Sequence, residues 1–367
     1  MLYRRSKLRD DALAAPVGHG ARYSLYGLDE LAAAGFPVAH NLEPGREAGA
    51  VSRATGAVLD RIVRASGGYS GDFASVLSCR HRLNDADVVF STVDTVGIPL
   101  ALLAGRGLVR KPIVYAAIGL PERLGQLRTA RAQRMFVDAY RRLHAIVAYG
   151  AGEVDVLREW LGEGGPPVAF VPFGVDSSYF APQPDAIADA DIVSIGADPR
   201  RDHALLLALA RARPEWSFRL VLANDGARAL GPVPQNVAIE IDVPFDLVRE
   251  RLAGARAVVL PVRDNSYSGA TTVLLQAMAT ARPVVVSRTA AIATVYHLEN
   301  GVNCRLVPPG SLEALEEAVG ALLSDDDRAA SLGLRARETV ERHLTWSRYT
   351  ESIAGLLRSA ARQGVTA

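Results

Sequence analysis

The sequence predicts an α/β chain of two domains, each a parallel sheet covered by helices. Three observations predict it. Helical patterns alternate with short apolar runs nearly end to end, as in strands joined by crossover helices. The alternation stops in "VPFGVDSSYFAPQPDAIADAD", rich in proline and turn residues, and then restarts, which places a boundary near 172–188. A length of 367 residues is ample for two buried cores.

The elements follow in order. Leu2 and Tyr3 end a first strand that looks clipped. Ser24–Ala34 is a helix stopped by Gly35, with Leu25, Leu28 and Leu31 or Ala32 on one face. Pro37–Asn41 is a short strand and Val51–Ala65 an amphipathic helix. "ADVVFS" (Ala86–Ser91) is an apolar strand buried on both faces. A helix over Ile98–Leu108, a strand over Pro112–Ala117, a helix over Arg128–His144, a strand over Ala145–Gly150 and a helix over Glu153–Leu161 complete the first half. The second half brings strand Asp191–Ile195, a helix from about Ala204, strands Phe218–Leu222 and Val237–Ile241, helix Pro244–Leu252 and strand Ala257–Leu260. A loop, a helix carrying Gln276, a strand over Val284–Val286 and a short strand in "RLVPPG" come next. Trp346–Ala361 is a final amphipathic helix, with Trp346, Tyr349, Ile353, Leu356 and Leu357 at helical spacing.

Composition narrows the class. Apolar residues make up 49% and charged residues 22%, as in soluble globular chains, and the net charge of +1 points to no nucleic-acid partner. The charge is uneven: residues 1–150 hold 20 Lys and Arg against 13 Asp and Glu, the remainder 21 against 27. Either the first half faces something anionic, a phospholipid surface or a phosphorylated acceptor, or charge simply varies between halves. The two cysteines, Cys79 and Cys304, lie far apart without metal-ligand spacing, which suits a reduced, cytoplasmic setting. Met1–Asp11 has no apolar core to act as a signal peptide, and no apolar run is long enough to span a bilayer. Peripheral contact with an inner membrane face stays open.

Candidate chemistry gathers in two places in the second half. Between Asp264 and Gly310 a loop of small residues opens a helix at Ala270, Thr271 and Thr272, whose free N–H groups form an anion site. Gly269 and Ala270 carry too little side chain to block a phosphate oxygen. The alternative is an ordinary turn from strand to helix. Arg200 and Arg201, in "GADPRRDH", follow a strand at the carboxyl edge of a parallel sheet, where ligands bind, or else pair locally with Asp198 and Asp202. In the first half His19 lies in a Gly-rich turn, as either a structural or a catalytic group. Asp94 follows a strand and either orients a hydroxyl or caps a helix. Arg4 and Arg5 face the site or solvent. The helix over Arg128–His144 carries Arg131, Arg134, Arg141 and Arg142 opposite Ala132, Met135, Phe136, Ala139 and Leu143, which suits either anionic lipid or the core. The "DAD" runs at 85–87 and 189–191 read as turn and strand-edge residues rather than a metal motif.

The strings "QAMATARPVVVS" and "NGVNCRLVPPGSLEALEEAV" resemble the C-terminal signature of GT-B glycosyltransferases of the family 4 type, and "VPFGVDSSYFAP" resembles their interdomain linker. The resemblance covers residues 140–360 and is architectural before that. It implies two Rossmann-like domains facing a cleft: an acceptor-binding domain at 1–172, a donor-nucleotide domain at 188–345, and a helix at 346–367 crossing back to the first. It implies a retaining transferase that moves a sugar from a UDP- or GDP-linked donor to a hydroxyl of a lipid, polysaccharide or small molecule, with no metal and no cofactor. On that account the acceptor attacks on the face from which the diphosphate leaves, and the leaving phosphate takes the proton. Where the family has an Arg and a Lys on the diphosphate, this chain has Ala197 and Arg201, with Arg200 as alternate. Where it has two glutamates, for the sugar and the ribose, this chain has Ser268 and Gln276. The family histidine after a first-domain strand is absent, and His19 is the nearest substitute. These departures admit two alternatives: a non-catalytic sugar-nucleotide-binding subunit, and another GT-B activity such as a nucleotide-sugar epimerase.

Overall fold

The computed structural model describes all residues except Pro44, Arg46, Ala197, Asn265–Ser268, Ala293, Thr294 and Ala367, and the side chains of residues 364–366. Two compact units result. Met1–Val171 and the chain from Thr350 onward form the first, and Pro172–Tyr349 the second.

The first unit holds four parallel strands, β1 (Val89–Ser91), β2 (Ile113–Ala117), β3 (Ala145–Ala148) and β4 (Val168–Phe170), side by side in that order. Every residue of β1, β2 and β3 is buried, which explains their unbroken apolar sequence. Leu2 adds a parallel bridge to Ser91 at the free edge of β1. Pro37–Asn41, expected as a strand, is none. Instead the Asn41 side chain receives the Tyr3 N–H (2.8 Å) and donates to the Tyr3 carbonyl (2.8 Å), satisfying the groups a neighbouring strand would take.

Three helix boundaries also move. The helix expected over Ser24–Ala34 splits into a 3-10 turn (Gly20–Leu25) and a helix (Leu28–Ala33), because Tyr26 and Gly27 take positive φ. The helix expected from Ile98 starts at Asp94 and runs to Gly105 through Pro99. Proline cannot donate to the Thr95 carbonyl four residues back, and that carbonyl accepts the Asp72 N–H at 2.7 Å instead. The helix expected over Arg128–His144 runs Ala130–Tyr140, and Ala132, Phe136, Ala139 and Tyr140 are buried in the core, so its apolar face is not offered to lipid.

The second unit holds six parallel strands, β5 (Ala190–Ile195), β6 (Phe218–Leu222), β7 (Val237–Ile241), β8 (Ala255–Leu260), β9 (Val284–Ser287) and β10 (Arg305–Val307). Their order is β10-β9-β8-β5-β6-β7. From β5 the chain winds outward through β6 and β7. From β8 it winds the other way, the doubly wound arrangement of a Rossmann-like sheet. The linker packs within this unit: Arg337 donates to the carbonyls of Ser177 (2.7 Å), Phe180 (3.1 Å) and Ala279 (2.6 Å). The final helix, Trp346–Thr366, begins there, where Trp346 and Tyr349 pack on Phe173 with centroids at 5.5 and 5.1 Å. Its later turns belong to the first unit, where Thr350 sits against Gly27 and Arg358 lies over the Phe36 ring. Among the described residues no helix is long and apolar enough to cross a membrane.

Candidate functional site

In a doubly wound sheet the loops leaving two neighbouring strands in opposite directions part at the carboxyl edge and open a crevice. Here those strands are β5 and β8. Their loops are tied to one another: Asp202 N–H donates to the Pro261 carbonyl (2.9 Å), Arg263 N–H donates to the Arg200 carbonyl (2.9 Å), and Arg201 bridges Val262. The sequence-predicted arginines and the sequence-predicted phosphate loop therefore leave the same stretch of sheet edge.

Arg201 is only 3% exposed. Its guanidinium donates to Ser194 Oγ at 2.8 Å, its Nε has no hydrogen-bond partner, and no carboxylate pairs with it among the described residues. Burial pulls its pKa down to about 10, against a smaller opposing pull from Asp198, so it is a cation at neutral pH held without a counter-ion. The expected local pairs with Asp198 and Asp202 are not what hold it. Asp198 Oδ1 accepts the Arg200 N–H (2.7 Å), and Asp202 caps the next helix through the Leu205 N–H (3.1 Å). Gly196 leaves room for the guanidinium, since a Cβ there would lie 3.0 Å from one terminal nitrogen. His203, missed in the sequence, opens the helix after Asp202 with a buried Nδ1 that lacks a partner. Burial, then the charge of Arg201, lowers its pKa to about 4, so it is neutral. Only its adjacency to the arginine pair in "RRDH" pointed to it.

The helix after the second loop runs Thr271–Ala279, with Ala270 at its N-cap and no side chain capping it. Its first N–H groups keep their donor capacity. Thr271 is 3% exposed, and its Oγ1 is buried without a partner among the described residues. Gly269 and Thr272 are half-buried beside it. Gln276 is 3% exposed on the second turn and does not face solvent. Ala197 and Ser268 lie outside the described residues. Three side chains with a buried, unpartnered polar atom, Arg201, His203 and Thr271, and one uncapped helix start thus share the switch-point edge. A buried donor left unpaired costs about 1–3 kcal/mol, so this arrangement suits an anion that supplies the missing acceptors.

The first unit has its own carboxyl edge, and the two other predicted residues belong to this unit. Asp94, 2% exposed, is the first residue of its helix but makes no capping bond. Its Oδ1 accepts from Tyr115 OH (2.5 Å) and Ile118 N–H (3.0 Å), and its Oδ2 from Arg123 Nε (2.8 Å). Burial raises its pKa even with Arg123 opposing. His19 caps the 3-10 turn, its Nδ1 accepting the Ala21 N–H at 3.2 Å. Glu153, read in the sequence only as a helix start, is 1% exposed and joins two loops: Oε2 accepts the Gly150 N–H (3.0 Å) and Oε1 the Gly119 N–H (3.4 Å). Burial pushes its carboxyl up to about 8. Arg5 donates to the Asn41 (2.6 Å) and Glu43 (3.0 Å) carbonyls. In the second "DAD" run, Asp189 pairs with Arg251 (3.1 Å) and Asp191 with Arg256 (3.1 Å), both structural contacts.

Comparison with known proteins bears on the second unit above all. Residues 189–325 match the family described as glycosyl transferases group 1. An exopolysaccharide phosphotransferase of Streptomyces coelicolor is 27% identical over 268 residues, covering 70% of this chain and 27% of that protein. A GDP-mannose-dependent alpha-(1-6)-phosphatidylinositol monomannoside mannosyltransferase of Mycolicibacterium smegmatis is 30% identical over 225 residues, 53% of this chain and 57% of that one. The chain thus spans from about a quarter to just over half of these relatives' lengths. Among solved structures, Anabaena Alr3699/HepE in complex with UDP and glucose superposes with a TM-score of 0.66 at 16% identity, over 90% of this chain and 88% of that one. The chain has the GT-B fold, and its residues 189–325 form a glycosyltransferase group 1 domain.

Proposed function

We propose that the protein is a retaining glycosyltransferase that moves a sugar from a UDP- or GDP-linked donor to an acceptor hydroxyl. The observation that carries this reading is Arg201, a buried cation without a counter-ion among the described residues, at the edge where the β5 and β8 loops meet. In this reading Arg201 holds the diphosphate, with Arg200 beside it. The N–H groups of Gly269, Ala270, Thr271 and Thr272 receive the charge that develops as the sugar–phosphate bond breaks, the kind of preorganised stabilisation that contributes most to catalysis. Gln276 accepts from the ribose hydroxyls, and Ser268, outside the described residues, keeps the sequence position of the sugar-binding glutamate. The acceptor, a lipid, a polysaccharide or a small molecule, binds the first unit. Asp94 and His19 act there by holding loops in place. The leaving diphosphate takes the acceptor proton, and neither metal nor cofactor is required. The GDP-mannose dependence in the name of the mycobacterial relative supports a nucleotide-sugar donor.

A second reading has a specific source, the relative named as a phosphotransferase. The same cradle would then serve transfer of a sugar phosphate. The leaving group separates the two. With a panel of UDP- and GDP-sugars, glycosyl transfer or slow hydrolysis releases a nucleoside diphosphate, whereas sugar-phosphate transfer releases a nucleoside monophosphate. An altered sugar on an intact nucleotide indicates an epimerase. Tight binding with no turnover for any acceptor indicates a binding subunit and overturns the enzyme reading.

A further inference from the structure

The helix Ala50–Ala65 packs inward through Gly56 and Val63, where Gly56 lies so close to Ala74 that a Cβ would meet its backbone nitrogen at 2.8 Å. Its outer surface is unusual for a soluble protein. Val51 is 81%, Val58 60% and Ile62 57% exposed, all large apolar side chains left in water. Their spacing of seven and four residues stacks them into one stripe along the helix, and exposed Ala54 and Ala65 widen it. Scattered exposed aliphatics need no explanation, but an aligned stripe marks a contact surface. Arg61 borders it, and Arg64 and Arg53, also exposed, lie farther round the helix, where Arg64 pairs with Asp60 (2.9 Å) and Arg53 donates to the Ala48 carbonyl (2.5 Å). Arg128 lies just past the C-terminus of the helix, its side chain against Gly67 and its N–H on the Ser66 carbonyl (3.1 Å). The one carboxylate on the helix, Asp60, is occupied by Arg64 and Ser70.

We infer that this helix docks the protein on an anionic phospholipid surface, with Val51, Val58 and Ile62 in the acyl boundary and the arginines at the headgroups. An apolar stripe bordered by cations on a single exposed helix is the geometry of an interfacial helix. A protein partner for the same stripe would call for charged groups of both signs able to pair across the interface, and here the charged groups of the helix are arginines except for Asp60, which is already paired. The inference does not rest on the transferase reading, since it concerns where the first unit sits and not what the second unit binds.

The test is vesicle cosedimentation of the full chain, with pure phosphatidylcholine against phosphatidylcholine containing phosphatidylglycerol. Binding to the anionic vesicles only, weakened at high salt, is expected. Val58→Asp with Ile62→Asp should reduce it at least tenfold with no change in melting temperature, because both positions are exposed. Arg53→Gln with Arg61→Gln should weaken it severalfold. Val58→Trp should give a blue-shifted emission on anionic vesicles. Wild-type binding that ignores lipid charge, equal binding by the aspartate variant, or no binding at low salt overturns the proposal. So does concentration-dependent self-association abolished by the same aspartates, which would make the stripe an interface between copies.

Discussion

Replacing Arg201 by methionine should loosen the ligand and spare the fold. The guanidinium is 3% exposed and has no counter-ion among the described residues, and its pKa falls to about 10. At about 1.4 kcal/mol per unit, that fall means the charged form is disfavoured in the ligand-free protein by about 3 kcal/mol. Methionine is of similar length and carries no charge. It leaves Ser194 Oγ without its 2.8 Å partner, a loss of about 1 kcal/mol. The net expectation for the ligand-free variant is therefore a stability unchanged or raised by up to about 2 kcal/mol. Binding should move the other way. A charge-assisted bond to a phosphate contributes about 1.5–3 kcal/mol, so affinity for UDP or GDP should fall roughly 10- to 100-fold. Calorimetric titration with both nucleotides, beside urea denaturation without ligand, reads both quantities. Unchanged nucleotide affinity would remove Arg201 from the site. A ligand-free loss of more than about 2 kcal/mol would show that the guanidinium holds the fold and is not held in reserve for an anion.

Other consequences follow from the same geometry. Thr271→Val keeps the branched shape and removes a hydroxyl with no partner, so the ligand-free melting temperature should hold or rise while nucleotide affinity drops severalfold by thermal shift. Asp94→Ala strips acceptors from Tyr115, Ile118 and Arg123 at once, and urea denaturation should show a loss of about 3–5 kcal/mol in the first unit. Glu153 has a folded pKa raised to about 8, above its unfolded value, so its contribution is full in acid and is lost as pH rises toward 8. Urea midpoints taken from pH 5 to 9 should therefore decline, and Glu153→Gln should flatten that decline. Gly97→Ala would set a Cβ 2.0 Å from the Tyr115 ring, so a lower melting temperature, by the equivalent of roughly 1–3 kcal/mol, is expected.

The second unit was more legible than the first for a physical reason. A loop of small residues that opens an uncapped helix leaves a mark in sequence: Gly269, Ala270, then the periodic run from Thr271. The unbroken apolar strands fixed the sheets in the same way. Burial of charge leaves no such mark. Nothing in "GADPRRDH" distinguishes an arginine in solvent from one 3% exposed, and only the β5–β8 switch point, a property of strand order, decides between them. The first unit went unread where side chains replace backbone pairing. Asn41 stands in for a strand, Asp94 reaches across to Tyr115 and Arg123 instead of capping its own helix, and Glu153 joins two loops that are 31 residues apart in sequence.

The lipid-facing surface shows the same limit from the other side. Two helices of the first unit carry an apolar stripe beside arginines, and periodicity treats them alike. The Ala130–Tyr140 helix spends its stripe on the core, through Phe136 and Tyr140. The Ala50–Ala65 helix packs inward through Gly56, half-buried Leu59 and Val63 and keeps a second aliphatic row, Val51, Val58 and Ile62, outside. The glycine is the informative residue. It brings the helix down onto Ala74 closely, so the helix is seated without its outer row. Gly56→Leu should therefore disrupt packing against the Phe73–Ser78 helix and lower the melting temperature. Val58→Ser, on the opposite side of the same turn, should leave it within about 0.5 kcal/mol of wild type. Equal loss from both substitutions would mean that the stripe is part of the fold, and neither the packing argument nor the docking face would stand.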